Sequence, residues 1–299
     1  MIEKTSTKFF ATFGLLFGAV SWGILWYPYR LLEQAGIPGV AASFYTFLVA
    51  LVLGGLVFAR HWRGLCALPL ATLWLALAAG WTNLSYVVAV IDGEVMRIML
   101  LFYLSPLWTL MLAHFWLKER TGKLGMIAIV ASLAGAFVML WQPASMLPVP
   151  QCKAEWLALS SGIGFAVSNV LTRKIRHLTL RVKSMAVWAG VVFMALIFLP
   201  FHAASFPSPE TISAYHGLMM VGLGLVLICT TWLVQFGITH IPVTRASVIF
   251  LFEIVVAAYT SYWLAHETMA LNEWLGGSLI ILAAMIAARA EEVPCSQPG

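Results

Sequence analysis

The chain has 299 residues, of which 62% are hydrophobic and 10% charged, with a formal net charge of +5. Soluble domains carry about 25% charged residues, and a mean hydropathy of +0.92 leaves more apolar surface than a water-soluble fold of this size can hide. Composition therefore excludes an ordinary soluble domain and makes lipid the solvent for most of the chain.

Apolar runs long enough to cross a bilayer, about 20 residues in a helix, occur ten times along the chain. In the first half they lie at roughly 9–29, 38–59, 68–91, 95–117 and 122–141. In the second half they lie at roughly 154–173, 184–203, 213–236, 244–265 and 271–289. The first run is longer than the apolar core of a cleavable signal peptide, so it reads as the first membrane helix. A short polar turn, Ile91 to Val95, joins spans three and four. The longest connection, 142–153, carries Pro143, Pro148 and Pro150 and is the natural seam between two halves, 1–145 and 146–299.

One segment occurs twice. Arg97 to Glu119 reads RIMLLFYLSPLWTLMLAHFWLKE, and Arg245 to Glu267 reads RASVIFLFEIVVAAYTSYWLAHE, at an offset of 148 residues. A weaker echo pairs Ala19-Val20-Ser21 with Ala166-Val167-Ser168. Duplicated membrane segments of this kind are the sequence mark of many transporters. With the N-terminus placed inside, 14 of the 17 Lys and Arg residues fall on the cytoplasmic side, leaving Arg30, Arg97 and Lys153 outside. That bias puts both termini in the cytoplasm. It also assigns the positive charge to a membrane face, so no nucleic-acid partner is expected. Five spans per half is an odd number, so the second half is expected to enter the membrane inverted relative to the first.

Residues Arg97 to Leu140, with Pro106, Glu119, Gly125 and Gly135, resemble the EamA domain of the drug/metabolite transporter superfamily. The second copy keeps Pro242-Val243-Thr244-Arg245, Glu253, Glu267 and Gly276-Gly277. It has Ile254 where the family often has proline after the glutamate, so a proline kink cannot be argued for the ninth span. The resemblance implies an all-α membrane protein of ten transmembrane helices in two inverted five-helix repeats. It further implies a secondary transporter of the bacterial inner membrane, exporting amino acids or related small metabolites by alternating access. Members of the YddG-type, exporters of aromatic amino acids, are the first comparison. In that fold helices one, three, four, six, eight and nine line the cavity. Uptake or exchange of another metabolite is the alternative, and a monomer is the expected assembly.

Candidate cargo residues follow from the cost of polar groups in lipid. Arg97 and Arg245 each open one copy of the repeat, at opposite membrane faces, suited to hold a carboxylate or close a gate. Snorkelling to the headgroups is the structural alternative. Glu253 lies eight residues into the ninth span, at least ~12 Å along the helix. It must face the interior, as a coupling site, an amine contact or a buried structural acid. Arg245 is two turns back and reaches part of the way. Asn83 and Tyr86, with Val90, share a face of span three. Thr231 and Gln235 share a face of span eight. Ser168 and Asn169 lie in span six, Ser21 and Trp22 in span one, and Tyr103 in span four. Helix–helix glue is the competing use of each. Glu119 and Glu267 suit capping and loop pairing. Gly14, Gly18, Gly23, Gly222 and Gly224 suit close helix approach. Trp62, Trp74, Trp141 and Trp156 fit interfacial belts.

No enzyme is expected: the seven histidines are scattered and no GxSxG elbow occurs. No GxxxxGK[ST] motif supports a nucleotide-driven pump. Neither a selectivity-filter loop nor a ring of charge suggests a channel. Four cysteines without CxxC or Cys–His spacing suggest neither disulfide nor zinc, with Cys229 a small packing residue. No cofactor or metal is expected.

Overall fold

A computed structural model describes residues 2–58, 69–93, 95–119, 121–140, 150, 152–198, 212–264 and 270–289. Among the described residues every regular element is a helix, as lipid demands of a chain with no water to satisfy its backbone. In chain order the helices are α1 (Ile2–Gln34), α2 (Gly39–Phe58), α3 (Leu70–Asp92), α4 (Val95–Phe102), α5 (Ser105–Leu112), α6 (Lys123–Leu140), α7 (Lys153–Lys174), α8 (Leu180–Phe198), α9 (Ala214–His240), α10 (Val243–Phe250), α11 (Phe252–Leu264) and α12 (Leu271–Arg289). They correspond to the ten expected spans, with spans four and nine each broken in two. The fold is an all-α, multi-helix membrane fold of the ten-helix type.

Among the described residues, six helical segments are long and apolar enough to cross a membrane by themselves: Thr7–Gln34, Gly39–Phe58, Leu70–Val90, Leu180–Phe198, Ala214–His240 and Val243–Leu264. Lys123–Val138 and Trp274–Ile286 are apolar but shorter. Helix α7 has the length but is more polar, because it is enclosed by other helices. Twelve of its residues, Ser161, Ser168 and Asn169 among them, are buried.

The two breaks fall at equivalent places. Span four breaks at Tyr103 and Leu104, just before Pro106. Span nine breaks at Leu251, the residue 148 positions after Tyr103, with no proline nearby. Pro106 sits in the first turn of α5, where a missing N–H costs nothing. The interruption is thus a property of the packing site rather than of proline. Span four ends in a π-helical turn, Ala113–Leu117, closed by Lys118 in the left-handed region at φ 54°.

Packing crosses between the halves. Helix α1 lies against α9 and α11, while α3 lies between α7 and α8. Helix α2 packs on α8 and α9, α4 and α5 pack on α7, and α6 pairs with α12. Exchanging spans one to five for six to ten maps this set onto itself. Contact is closest where α3 meets α8: a Cβ at Gly190 would run into the carbonyl oxygen of Ala76, and one at Gly80 into that of Gly190. Small residues of this kind let helix backbones touch in lipid, where dispersion drives association. Gly14, Gly18, Gly23 and Gly224 meet neighbouring helices in the same way, but Gly222 faces open space and has no packing role. Cys229 is exposed on the outer surface rather than packed. Cys66 and Cys295 lie outside the described residues. Trp74 and Trp156 are exposed, as interfacial residues should be, while Trp62 and Trp141 are outside the described set.

Candidate functional site

A cavity of about 880 Å³ runs through the middle of the bundle, within the size range of small-molecule sites. Spans one, three, four, six, eight and nine all contribute, as expected, and spans two and seven add Gly39, Ser43, Phe47, Val187 and Val191. Each wall is one helix face. From α1 come Trp22, Leu25, Trp26, Tyr29 and Glu33, spaced three or four residues apart. From α7 come Phe165, Ser168 and Asn169, and from α9 Thr231, Val234, Gln235 and Ile238.

The structure brings together nine of the twelve sequence candidates on this cavity: Trp22, Asn83, Tyr86, Tyr103, Ser168, Asn169, Thr231, Gln235 and Glu253. Ser21 is not on the wall. It precedes Trp22 by one residue, which turns it about 100° around the helix from the lining stripe. Arg245 is not on the wall either. It sits in the first turn of α10, whereas the ninth span faces the cavity only beyond the break at Leu251. The side chain of Arg97 lies outside the described residues. Trp26, Tyr29, Arg30 and Glu33 were missed, although they continue the face that Trp22 begins.

Glu253 occupies the first turn of α11. It is near the middle of its span, ten residues from Val243 and eleven from Leu264, or about 15 Å each way. Beside it lies Tyr103, the residue at the break in span four. The contact therefore joins the two interruptions across the pseudo-symmetric bundle. Around it the rings form one cluster: Tyr86–Phe102 at 4.8 Å between centroids, Phe102–Phe165 at 5.6 Å, Phe165–Phe250 at 5.4 Å and Trp22–Phe250 at 5.6 Å. Phe102 and Phe250 are the last residues of α4 and α10 and are themselves equivalent in the repeat.

Hydrogen bonds hold much of the wall in place. Trp26 donates to Thr260 at 3.0 Å, and Thr260 donates to the carbonyl of Gly23. Tyr29 and Thr46 share a bond at 2.8 Å. Trp188, fully buried, donates to Thr231 at 3.1 Å. Among the described residues, Asn83 Oδ1, Asn169 Nδ2 and Gln235 Oε1 on the wall are buried with no partner. Asn169 and Gln235 are each 4% exposed. Buried polar groups are normally paired, and an unpaired one costs about 1–3 kcal/mol. Three such atoms belong to residues that line the cavity.

The two ends of the cavity differ. Arg30 and Glu33 line one end and are exposed, so the cavity reaches the surface there. Beyond Ile238, where the lining of α9 ends, lies a polar cluster. Arg173 Nε meets Glu119 Oε1 at 3.1 Å, and the second oxygen of Glu119 accepts the Val243 N–H at 3.2 Å. Arg173 also donates to the Thr239 carbonyl, and the buried Lys183 donates to the Thr239 hydroxyl. Glu119 thus caps α10 and pairs with α7, the capping and pairing role expected of it. Its counterpart Glu267 lies outside the described residues. The cluster ties together the ends of spans four, six, seven, eight and nine.

Residues 9–141 and 153–289 each match the model of the EamA-like transporter family. The chain is 26% identical to an uncharacterised transporter of Archaeoglobus fulgidus, over 70% of this chain and 72% of that one. It is 27% identical to an uncharacterised transporter of Pseudomonas aeruginosa, over 75% and 74%. It is 25% identical to Protein RarD of Streptomyces exfoliatus, over 91% and 87%. A protein of known crystal structure superposes with a TM-score of 0.74 at 18% identity, over 93% of this chain and 96% of that one, which shows a shared fold.

Proposed function

We propose a cargo class and a working cycle for this chain, which belongs to the EamA-like transporter family and is a membrane-embedded secondary transporter of small molecules, not an enzyme. The cargo is an amino acid or a related small metabolite, exported across the bacterial inner membrane by alternating access. The observation that carries this reading is the central cavity, which reaches the surface at one end and has the Glu119–Arg173 cluster beyond the other. A carrier needs such one-sided access; an open channel does not. Its ring-lined wall and unpaired amides suit a molecule with a flat apolar body and polar ends, which favours aromatic members of the class.

The basic-residue bias places both termini in the cytoplasm. In that orientation the open end, at Arg30 and Glu33, faces outward, and the sealed end is cytoplasmic. Repeats 1–145 and 146–299 are inverted about an axis in the membrane plane, and rocking between them would exchange the open and closed ends. The transporter works as a monomer, since the cavity is built within one chain. The test is counterflow by the purified full-length chain in liposomes, against a panel of amino acids and other metabolites. Saturable exchange of at least one amino acid or amino-acid derivative is expected. Failure with every one of them would remove the cargo class, and flux without saturation would remove the carrier.

A further inference from the structure

We infer that the buried Lys183 is the counterweight to the Glu119–Arg173 pair: its enclosure opposes closure of the cytoplasmic end and keeps the two access states close in free energy. The inference rests on the alternating-access reading above and assigns one residue to the balance between its states. Lys183 is the fourth residue of α8, one turn from the end of that helix. Its side chain is 0% exposed, whereas those of Arg173 and Glu119 keep 12% and 19%. The lysine amine donates to the Thr239 hydroxyl. That hydroxyl is a neutral partner and itself donates to the Gln235 carbonyl at 2.6 Å. Gln235 lines the cavity, so the counterweight acts one turn beyond the cargo wall.

The described carboxylate of the cluster is engaged elsewhere. One oxygen of Glu119 meets Arg173, and the other accepts the Val243 N–H. Arg173 bonds the carbonyl of the same Thr239 whose hydroxyl takes Lys183, so two basic side chains converge on one residue. On α1, Ala11 lies level with Gly237. Glu3 begins eight residues before Ala11, about 12 Å further along that helix. Taking a charged amine out of water is costly unless a charge pairs with it. Closure therefore either buries the Lys183 charge or drives off its proton. Both cost free energy that opening returns, so the penalty does not depend on which form the buried amine takes. Against it stand the bonds that closure makes, from Glu119 to Arg173 and to the end of α10. A cargo molecule shifts an equilibrium only by its differential affinity for the two states. A cycle it can drive therefore needs states of similar free energy, and the opposed terms of this cluster supply that balance.

The test uses an Ile238→Cys reporter on the cavity wall, in the full-length chain with its four native cysteines changed to serine. A membrane-impermeant maleimide is applied to the cytoplasmic face in inside-out vesicles and to the outer face in right-side-out vesicles. Lys183→Met removes the charge and keeps the length. It should cut cytoplasmic labelling at least fivefold, leave outer labelling undiminished, and hold or raise the thermal midpoint. Added to Glu119→Gln, it should lower the cytoplasmic labelling of that variant at least threefold. Thr239→Val takes the partner from a retained amine and should raise cytoplasmic labelling at least threefold. A lysine that merely holds the helices together would do the reverse, losing stability and labelling faster when replaced. Cytoplasmic labelling that holds or rises in Lys183→Met, alone and with Glu119→Gln, would overturn the inference and leave the proposed carrier standing. If Lys183→Met does not fold, Thr239→Val decides, and unchanged or reduced labelling there overturns the inference. Labelling from the outer face alone in every variant would remove the alternating-access reading and this inference with it.

Discussion

Asn169 and Gln235 are each nearly enclosed, and each carries a polar atom with no partner. Such atoms lower stability unless something binds them. Gln235→Leu should therefore keep or raise thermal stability by up to ~2 kcal/mol, since it deletes an unsatisfied group and keeps the volume. It should also cut transport at least tenfold. Thermal unfolding in detergent beside vesicle counterflow checks both halves, and a variant that loses stability in step with activity would make Gln235 structural. These residues were findable in the sequence because polarity in an apolar run is conspicuous. Phe102 and Phe165 were not, because an aromatic residue in a membrane helix faces lipid as readily as cargo. Ser21 misled for a related reason: sequence shows polarity but places the helix face only to within a residue.

At the scale of elements, the paired breaks in spans four and nine are the main addition. Pro106 suggests one break by its chemistry, but span nine breaks at the equivalent Leu251 with Ile254 in the proline's place. Pro106→Ala should accordingly keep the interruption, change stability by no more than ~1 kcal/mol, and leave transport within about threefold. Circular dichroism and counterflow would detect the alternative, a continuous fourth helix with lost activity. The end of span four makes a second case. The π turn and the left-handed Lys118 re-aim the chain so that Glu119 reaches both Arg173 and the Val243 N–H. Glu119→Gln removes the charge and weakens both bonds. If the seal contributes ~1.4 kcal/mol, the population open at that end should rise about tenfold. Thiol labelling of an Ile238→Cys reporter would measure it, and unchanged labelling would show that the cluster does not gate.

For the whole molecule, the repeat does not divide the fold into two separate bodies. The major packing partners belong to opposite halves: α1 with α9, α3 with α7 and α8, α6 with α12. Residues 1–145 expressed alone should fail to accumulate as a monodisperse protein, while 1–145 and 146–299 expressed together should recover transport. Purification and size-exclusion chromatography of each form would show whether one half stands by itself. Composition and apolar run length determined the class, the ten spans and the membrane as solvent, because a chain in lipid has few other ways to satisfy its backbone. Local polarity determined nine of the wall residues. The tertiary structure decided which faces meet, where spans four and nine break, that Glu253 lies beside Tyr103, and that Glu119 meets Arg173. Each of those depends on contacts between residues far apart in the chain, and the sequence records no angle between one helix and the next.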